Sequence, residues 1–190
     1  ACPKLAFSAP PMLTIASLPA TAAKAVTSET PLRELAASAG IFVGAAANYL
    51  YLTGSEAECQ WENCMENCTA DIANYSTTLG REFSLTTAEN AMKFKATESV
   101  ARGEFNFTKG DALAGFASAH KMALRGHNLI WVAHNPVWLA KAAPNMSATE
   151  LDKIMQEHIA AVGAHYKGKV YSWDVVNEAM VDVPKVHTCH

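Results

Sequence analysis

Between positions 41 and 176 the chain alternates short apolar runs with amphipathic stretches, and this alternation limits the possible folds more than any other feature. Residues 41–46, 83–87, 123–131 and 170–176 each read as a strand. The last is apolar at nearly every position, as expected of a parallel strand buried on both faces. Residues 31–39 read as a helix, with Thr30 as its cap, Pro31 in its first turn and Gly40 as its stop. A second helix falls within residues 59–79. A third spans 109–121, where Leu113, Phe116 and Ala117 recur at helical spacing. The clearest helix is 147–166. Ser147 and Glu150 have the spacing of a capping box, Leu151, Ile154, His158, Ile159 and Val162 mark one face, and Gly168 follows as a stop. Strand and helix in four rounds argue for a parallel α/β fold. Periodicity alone leaves both an open sheet and a closed barrel possible.

Length and charge narrow the function. The 190 residues suffice for one domain, and the net charge is only −3, with no basic excess to suit nucleic acid. No apolar run reaches the roughly 20 residues that cross a bilayer, so no membrane partner is expected. The chain begins at Ala1, and residues 7–25 are rich in Ala, Pro, Ser and Thr. Ala20-Thr21-Ala22 has the form of a small-residue cleavage site, whereas Pro10, Pro11 and Pro19 interrupt an apolar leader. Residues 1–30 are therefore expected to be a leader or disordered linker, and 31–190 the folded part. Four glycosylation triplets, at Asn67, Asn74, Asn106 and Asn145, suit a secreted protein. So do Cys59, Cys64 and Cys68, close enough for two of them to pair, with Cys2 and Cys189 near the ends. Zinc is the weaker reading, because the cluster lacks a second CxxC-type pair and a nearby His. Neither metal nor cofactor is expected.

The strongest chemical signal is Trp173-Asp174-Val175-Val176-Asn177-Glu178-Ala179. An apolar strand ends in an Asn-Glu pair, and the C-terminal strand ends of parallel α/β proteins are where catalytic groups sit. A carboxyl walled by aromatic residues loses hydration, which raises its pKa and suits it to general acid work. The competing reading is a Glu placed at the start of the next helix for its charge.

That run resembles the acid/base signature of glycoside hydrolase family 10, the endo-1,4-beta-xylanases. Three further segments agree in order. Leu32-Arg33-Glu34-Leu35-Ala36 through Gly40-Ile41-Phe42-Val43-Gly44 resembles the family's first helix and strand. Thr87-Ala88-Glu89-Asn90-Ala91-Met92-Lys93-Phe94 and Gly103-Glu104-Phe105-Asn106-Phe107 resemble its second unit. Leu124-Arg125-Gly126-His127-Asn128-Leu129-Ile130-Trp131 resembles its third strand. The resemblance implies a (β/α)8 TIM barrel, seen over roughly its first four β/α units. It implies retaining cleavage of internal β-1,4 bonds in xylan or a related polysaccharide. Glu178 would be the acid/base. Glu89, Asn90, Lys93 and His127 would bind sugar hydroxyls, Trp131 would form an aromatic wall, and Asn177 would contact the 2-hydroxyl of the sugar being cleaved. Taken singly, Lys93 also fits a snorkelling surface residue, Glu89 and Asn90 a turn, and Trp131 and His127 core positions.

Two departures stand out. The family's Trp-His-Ser-Gln is Trp131-Val132-Ala133-His134 here. Val132 cannot hydrogen-bond through its side chain, and His134 offers a polar group in place of the Gln. The segment Cys59–Cys68 has no counterpart in the pattern. A retaining mechanism also needs a nucleophile carboxylate about 5–5.5 Å from the acid/base. No acidic residue after Glu178 fits that role, since Asp182 belongs to the following loop. The expectation is an N-terminal half that is inert alone, with a non-catalytic half-barrel or carbohydrate-binding relic as the alternative.

Overall fold

A computed structural model describes residues 29–53 and 72–180. All five cysteines, the triplet at Asn67, the leader and residues 181–190 lie outside those residues. The strands are β1 (Gly44–Ala47), β2 (Leu85–Ala88), β3 (Ala123–Ile130) and β4 (Ser172–Val176). They form one sheet in the order β1-β2-β3-β4, and every neighbouring pair is parallel. Sequential order with parallel neighbours places each crossover on the same side of the sheet. That is the arrangement of consecutive units of a (β/α)8 barrel, and it resolves the choice that periodicity left open.

Seven helices surround the sheet among the described residues: α1 (Leu32–Ser38), α2 (Tyr49–Thr53), α3 (Ile72–Glu82), α4 (Phe94–Thr97), α5 (Thr108–Ala119), α6 (Val137–Ala142) and α7 (Ala148–His165). Strand residues alternate between the two faces of the sheet. One face carries Ala47, Ala88 and Leu124, which pack with Leu113 and Ala117 of α5 and Val162 of α7 in one core. Small side chains at Ala47 and Ala88 let the helical layer approach the sheet closely. The other face carries Thr87, Arg125, His127 and Asp174, as the strand register shows. This polar face is the inside of the barrel curve.

α7 forms as its sequence dictates. Ser147 Oγ accepts from the Glu150 amide at 3.3 Å, and the Glu150 carboxylate accepts from the Ser147 amide at 2.7 Å. Ile154, His158 and Val162, one turn apart, are its buried stripe. Gly168 follows at a φ of 77°, a left-handed conformation that glycine adopts without steric cost. The start of α1 differs from expectation. Pro31 occupies the N-cap position, and the first N–H, of Leu32, donates at 2.8 Å to the carboxylate of Glu82 at the end of α3. A long-range carboxylate thus meets the first amide of the helix.

β4 differs too. It was expected to be buried on both faces, yet Val175 is 51% and Val176 55% exposed. Among the described residues β4 is an edge strand, paired with β3 alone, and no helix of this set follows it. The short helices α2, α4 and α6 were not anticipated, since 4–6 residues give too little periodicity to read.

Where β3 meets β4, the indole of Trp173 lies directly over Gly126. A Cβ at that position would stand 2.3 Å from Trp173 Cε3. Gly126→Ala is expected to destabilise the fold by about 1–3 kcal/mol, the usual cost of overpacking. Gly115→Ala, in α5 with open space around it, is expected to stabilise by about 0.5–1 kcal/mol. Urea denaturation of the two variants tests this, and midpoints moving in the same direction would contradict it.

Candidate functional site

The C-terminal ends of the strands converge on one rim. The β3–β4 ladder continues one step past β4, where the Asn177 amide donates to the Ile130 carbonyl at 2.9 Å. Glu178 follows at a φ of 50°. That left-handed conformation costs a residue with a Cβ about 1–2 kcal/mol, and such strain gathers at functional sites. It turns the side chain toward β3, where Glu178 Oε2 accepts from Trp131 Nε1 at 2.7 Å. Among the described residues Glu178 is exposed. Trp131 holds the carboxylate by the edge of its ring rather than covering it.

Trp131 is the hub of the rim. The His134 ring stacks on it, with centroids 4.5 Å apart at 24°. Lys93 Nζ lies 4.8 Å from the Trp131 ring centroid, close enough for a cation–π contact. Lys93, buried, also donates to Asn90 Oδ1. Glu89 is set by the β1–β2 ladder, which reaches one residue beyond β2 as the Glu89 amide donates to the Ala47 carbonyl at 3.2 Å. Glu89, Asn90, Lys93 and His134 line a cleft of about 360 Å³, together with Asn48, just after β1, and Tyr49 at the start of α2. The structure thus links Glu178, Trp131, Lys93, Asn90 and His134 by contact and puts Glu89 in the same cleft. Asn177 adjoins Glu178 in the chain and is half-buried.

His127 sits one layer deeper, its ring centroid 6.4 Å from that of Trp131. Its Nδ1 pairs with Asp174 Oδ2 at 2.9 Å, while Arg125 Nε donates to Asp174 Oδ1 at 2.9 Å. Burial works to raise the Asp174 pKa. The hydrogen bonds from Arg125 and His127, with their charge, outweigh it and hold the carboxyl below its usual range. Arg125 and Asp174 were not singled out from the sequence, although both lie inside the quoted motifs. Opposite charges two residues before His127 and three before Asn177 were the available signal, but only the β3–β4 register brings them together. Val132 is 78% exposed on the 3-10 turn Val132–His134, so the rim presents a methyl pair to solvent where the resemblance leads one to expect an imidazole.

Known proteins agree with this geometry. The chain is 37% identical over 124 residues to endo-1,4-beta-xylanase 2 of Claviceps purpurea, covering 65% of this chain and 37% of that protein. It is 44% identical over 102 residues to endo-1,4-beta-xylanase 1 of Humicola insolens, covering 54% of this chain and 23% of that one. Among solved structures, xylanase 10B from Thermotoga petrophila RKU-1 in complex with xylobiose superposes with a TM-score of 0.68 at 32% identity, covering 83% of this chain and 43% of that one. The chain therefore spans less than half the length of each of these relatives. The family described as Glycosyl hydrolase family 10 matches residues 32–189. With that match and the strand-end Asn-Glu pair in place, the chain belongs to glycosyl hydrolase family 10.

Proposed function

We propose that the full-length protein is a secreted, retaining endo-1,4-beta-xylanase in which Glu178 is the general acid/base. One observation carries this reading: the Glu178 carboxylate stands at the C-terminal end of β4, tied to a Trp131–Lys93–Asn90 relay beside a polar cleft. The Trp131 N–H donates to Oε2, which leaves Oε1 as the oxygen that carries the proton. In the first step that proton passes to the glycosidic oxygen as a second carboxylate attacks the anomeric carbon. In the second, Glu178 takes a proton from water as it displaces the carboxylate. Asn177 is suited to hold the 2-hydroxyl of the reacting sugar, and Glu89, Asn90, Lys93 and His127 hydroxyls of the chain, with Trp131 against the ring. Xylobiose bound to the Thermotoga petrophila relative supports a xylan-type substrate. Exposed Asn106 and Asn145, in two of the glycosylation triplets, suit secretion.

Among the described residues, the acidic side chains placed on or just beneath this rim, besides Glu178, are Glu89 in the sugar cleft and Asp174 held by Arg125 and His127. Neither is available as the nucleophile. Residues 1–190 alone are therefore expected to release no reducing sugar from xylan above the buffer rate, while the full-length protein does. Turnover by residues 1–190 would contradict the assignment of these carboxylates. Exposed Val132 favours a second reading, in which the protein binds the polysaccharide without cleaving it. Binding without turnover by the full-length protein would establish that reading instead.

A further inference from the structure

The glycosylation triplets at Asn74, Asn106 and Asn145 fall among the described residues, and the fold presents each differently. Asn74 and Ser76 both belong to α3. Helix residues two apart do not face each other, so the Ser76 hydroxyl points away from the Asn74 amide. Asn145 closes the 3-10 turn Ala143–Asn145 and is exposed. Its partner hydroxyl, on Ser147, is committed to the capping box of α7, where it donates to Glu150 Oε2 at 2.6 Å and accepts from the Glu150 amide at 3.3 Å. At Asn106 the arrangement is different. The middle residue, Phe107, packs inward, its ring stacked on His165 with centroids 3.9 Å apart and edge-on to Tyr166 at 5.6 Å. Asn106 and Thr108, on either side of it, are exposed. Asn106 Oδ1 accepts from the Thr108 amide at 3.0 Å, a turn that an Asn side chain makes with its own backbone two residues on. The main-chain N–H of Asn106 donates to the Thr97 carbonyl at 2.8 Å, which fixes this turn against the end of α4. Among the described residues no group bonds to Asn106 Nδ2 or Thr108 Oγ1.

We infer that Asn106 is the preferred N-glycosylation site of these three, with the Thr108 hydroxyl as the group its modification requires. This rests on the secretion reading and deepens it. The step joins Asn106 Nδ2 to the anomeric carbon of a lipid-pyrophosphate-linked oligosaccharide. The bond from that carbon to the pyrophosphate oxygen breaks, and Nδ2 gives up one proton. Resonance ties up the lone pair of an amide nitrogen, so the side chain must be held for attack with a hydroxyl at hand. The Asn106 turn does both: it anchors Oδ1 and brings Thr108 beside it. Three consecutive residues make the turn, so it forms on the growing chain without the rest of the fold. In the folded protein the same exposed position accommodates a bulky, polar glycan.

The test uses the full-length protein with its native N-terminus, produced in a eukaryotic secretory host and collected from medium and cells alike. Enzymatic deglycosylation in heavy-oxygen water turns each modified Asn into a labelled Asp, which peptide mass spectrometry reads. Most molecules are expected to be labelled at Asn106, and a smaller share at Asn145 and at Asn74. Thr108→Ala keeps the backbone amide that holds Oδ1, yet it is expected to abolish the Asn106 label and leave the other two unchanged. Thr108→Ser, which returns a hydroxyl, is expected to restore part of the label. An Asn106 label at or below that of either other triplet overturns the inference. So does a label that survives Thr108→Ala, or one that Thr108→Ser fails to restore. Protein in the medium with Asn106 bare also overturns it and leaves the secretion reading standing. Protein found only inside the cells, with every triplet bare, overturns the secretion reading and the inference with it.

Discussion

Changing Glu178→Gln in the full-length protein is expected to lower kcat/KM about 10²–10⁴-fold on xylan, whose leaving alkoxide needs a proton. On an aryl xylobioside with a strongly acidic phenol the loss in kcat/KM is expected to be far smaller, because that phenol departs without protonation. Glutamine keeps the size of the side chain and an oxygen for the Trp131 N–H, now held at 2.7 Å, so the rim stays in place. The unequal loss then reports proton donation rather than damage to the fold. Equal losses on both substrates would remove Glu178 from the acid role.

The second large effect lies beneath the rim. Glu98 and His158 are 2% and 0% exposed, with His158 Nδ1 at 3.0 Å from Glu98 Oε2. The other carboxyl oxygen accepts from the Gly103 amide at 2.6 Å, and the His158 ring stacks on Phe94 with centroids 3.6 Å apart. Glu98→Ala strands both the imidazole and the Gly103 N–H in a buried space. It is expected to cost about 3–5 kcal/mol, the range for breaking a buried polar pair from one side. In a chain of this size that is a fall in Tm of about 10 °C, read by calorimetry. A change below about 0.5 kcal/mol would show that the pair contributes nothing to stability.

The same pair sets a pH dependence. Burial lowers the His158 pKa below 6.5, and the opposing pull of Glu98 and of the Leu129 backbone does not restore it. The unfolded chain therefore binds a proton below about pH 6.5 that the folded chain resists. Stability from this group is complete above that pH and is lost as the pH falls toward the folded value, by at most about 1.4 kcal/mol per pH unit. Glu98 is also the C-cap of α4, and Lys93 is its N-cap. Loosening the pair is thus expected to reach the sugar cleft through four residues of helix.

Much of the fold was legible because it depends on local rules. The Ser147–Glu150 capping box, the Ile154-His158-Val162 stripe and the Gly40 and Gly168 stops each act within a few residues, and all are present. What escaped depends on distant partners. The cap on Leu32 comes from Glu82, fifty residues away in sequence, and the Arg125–Asp174 pair needs the β3–β4 register. The exposure of Val175 and Val176 goes with β4 having β3 as its neighbour among the described residues. At the site, Trp131 meets Glu178, Lys93 and His134, and Lys93 meets Asn90. The spacing of residues in the chain did not reveal Tyr49, Lys95 and Lys109, because they enter the cleft from three separate helices.

The assignment of Glu178 is tested most directly by chemical rescue. In a full-length Glu178→Ala protein the second step lacks its base, so water attacks the glycosyl-enzyme slowly, while azide needs no base to attack. With an aryl xylobioside that does not require acid help, added azide is expected to restore turnover at least tenfold and to yield the β-configured glycosyl azide. No acceleration, or an azide product of α configuration, would contradict a retaining hydrolase with Glu178 as its acid/base.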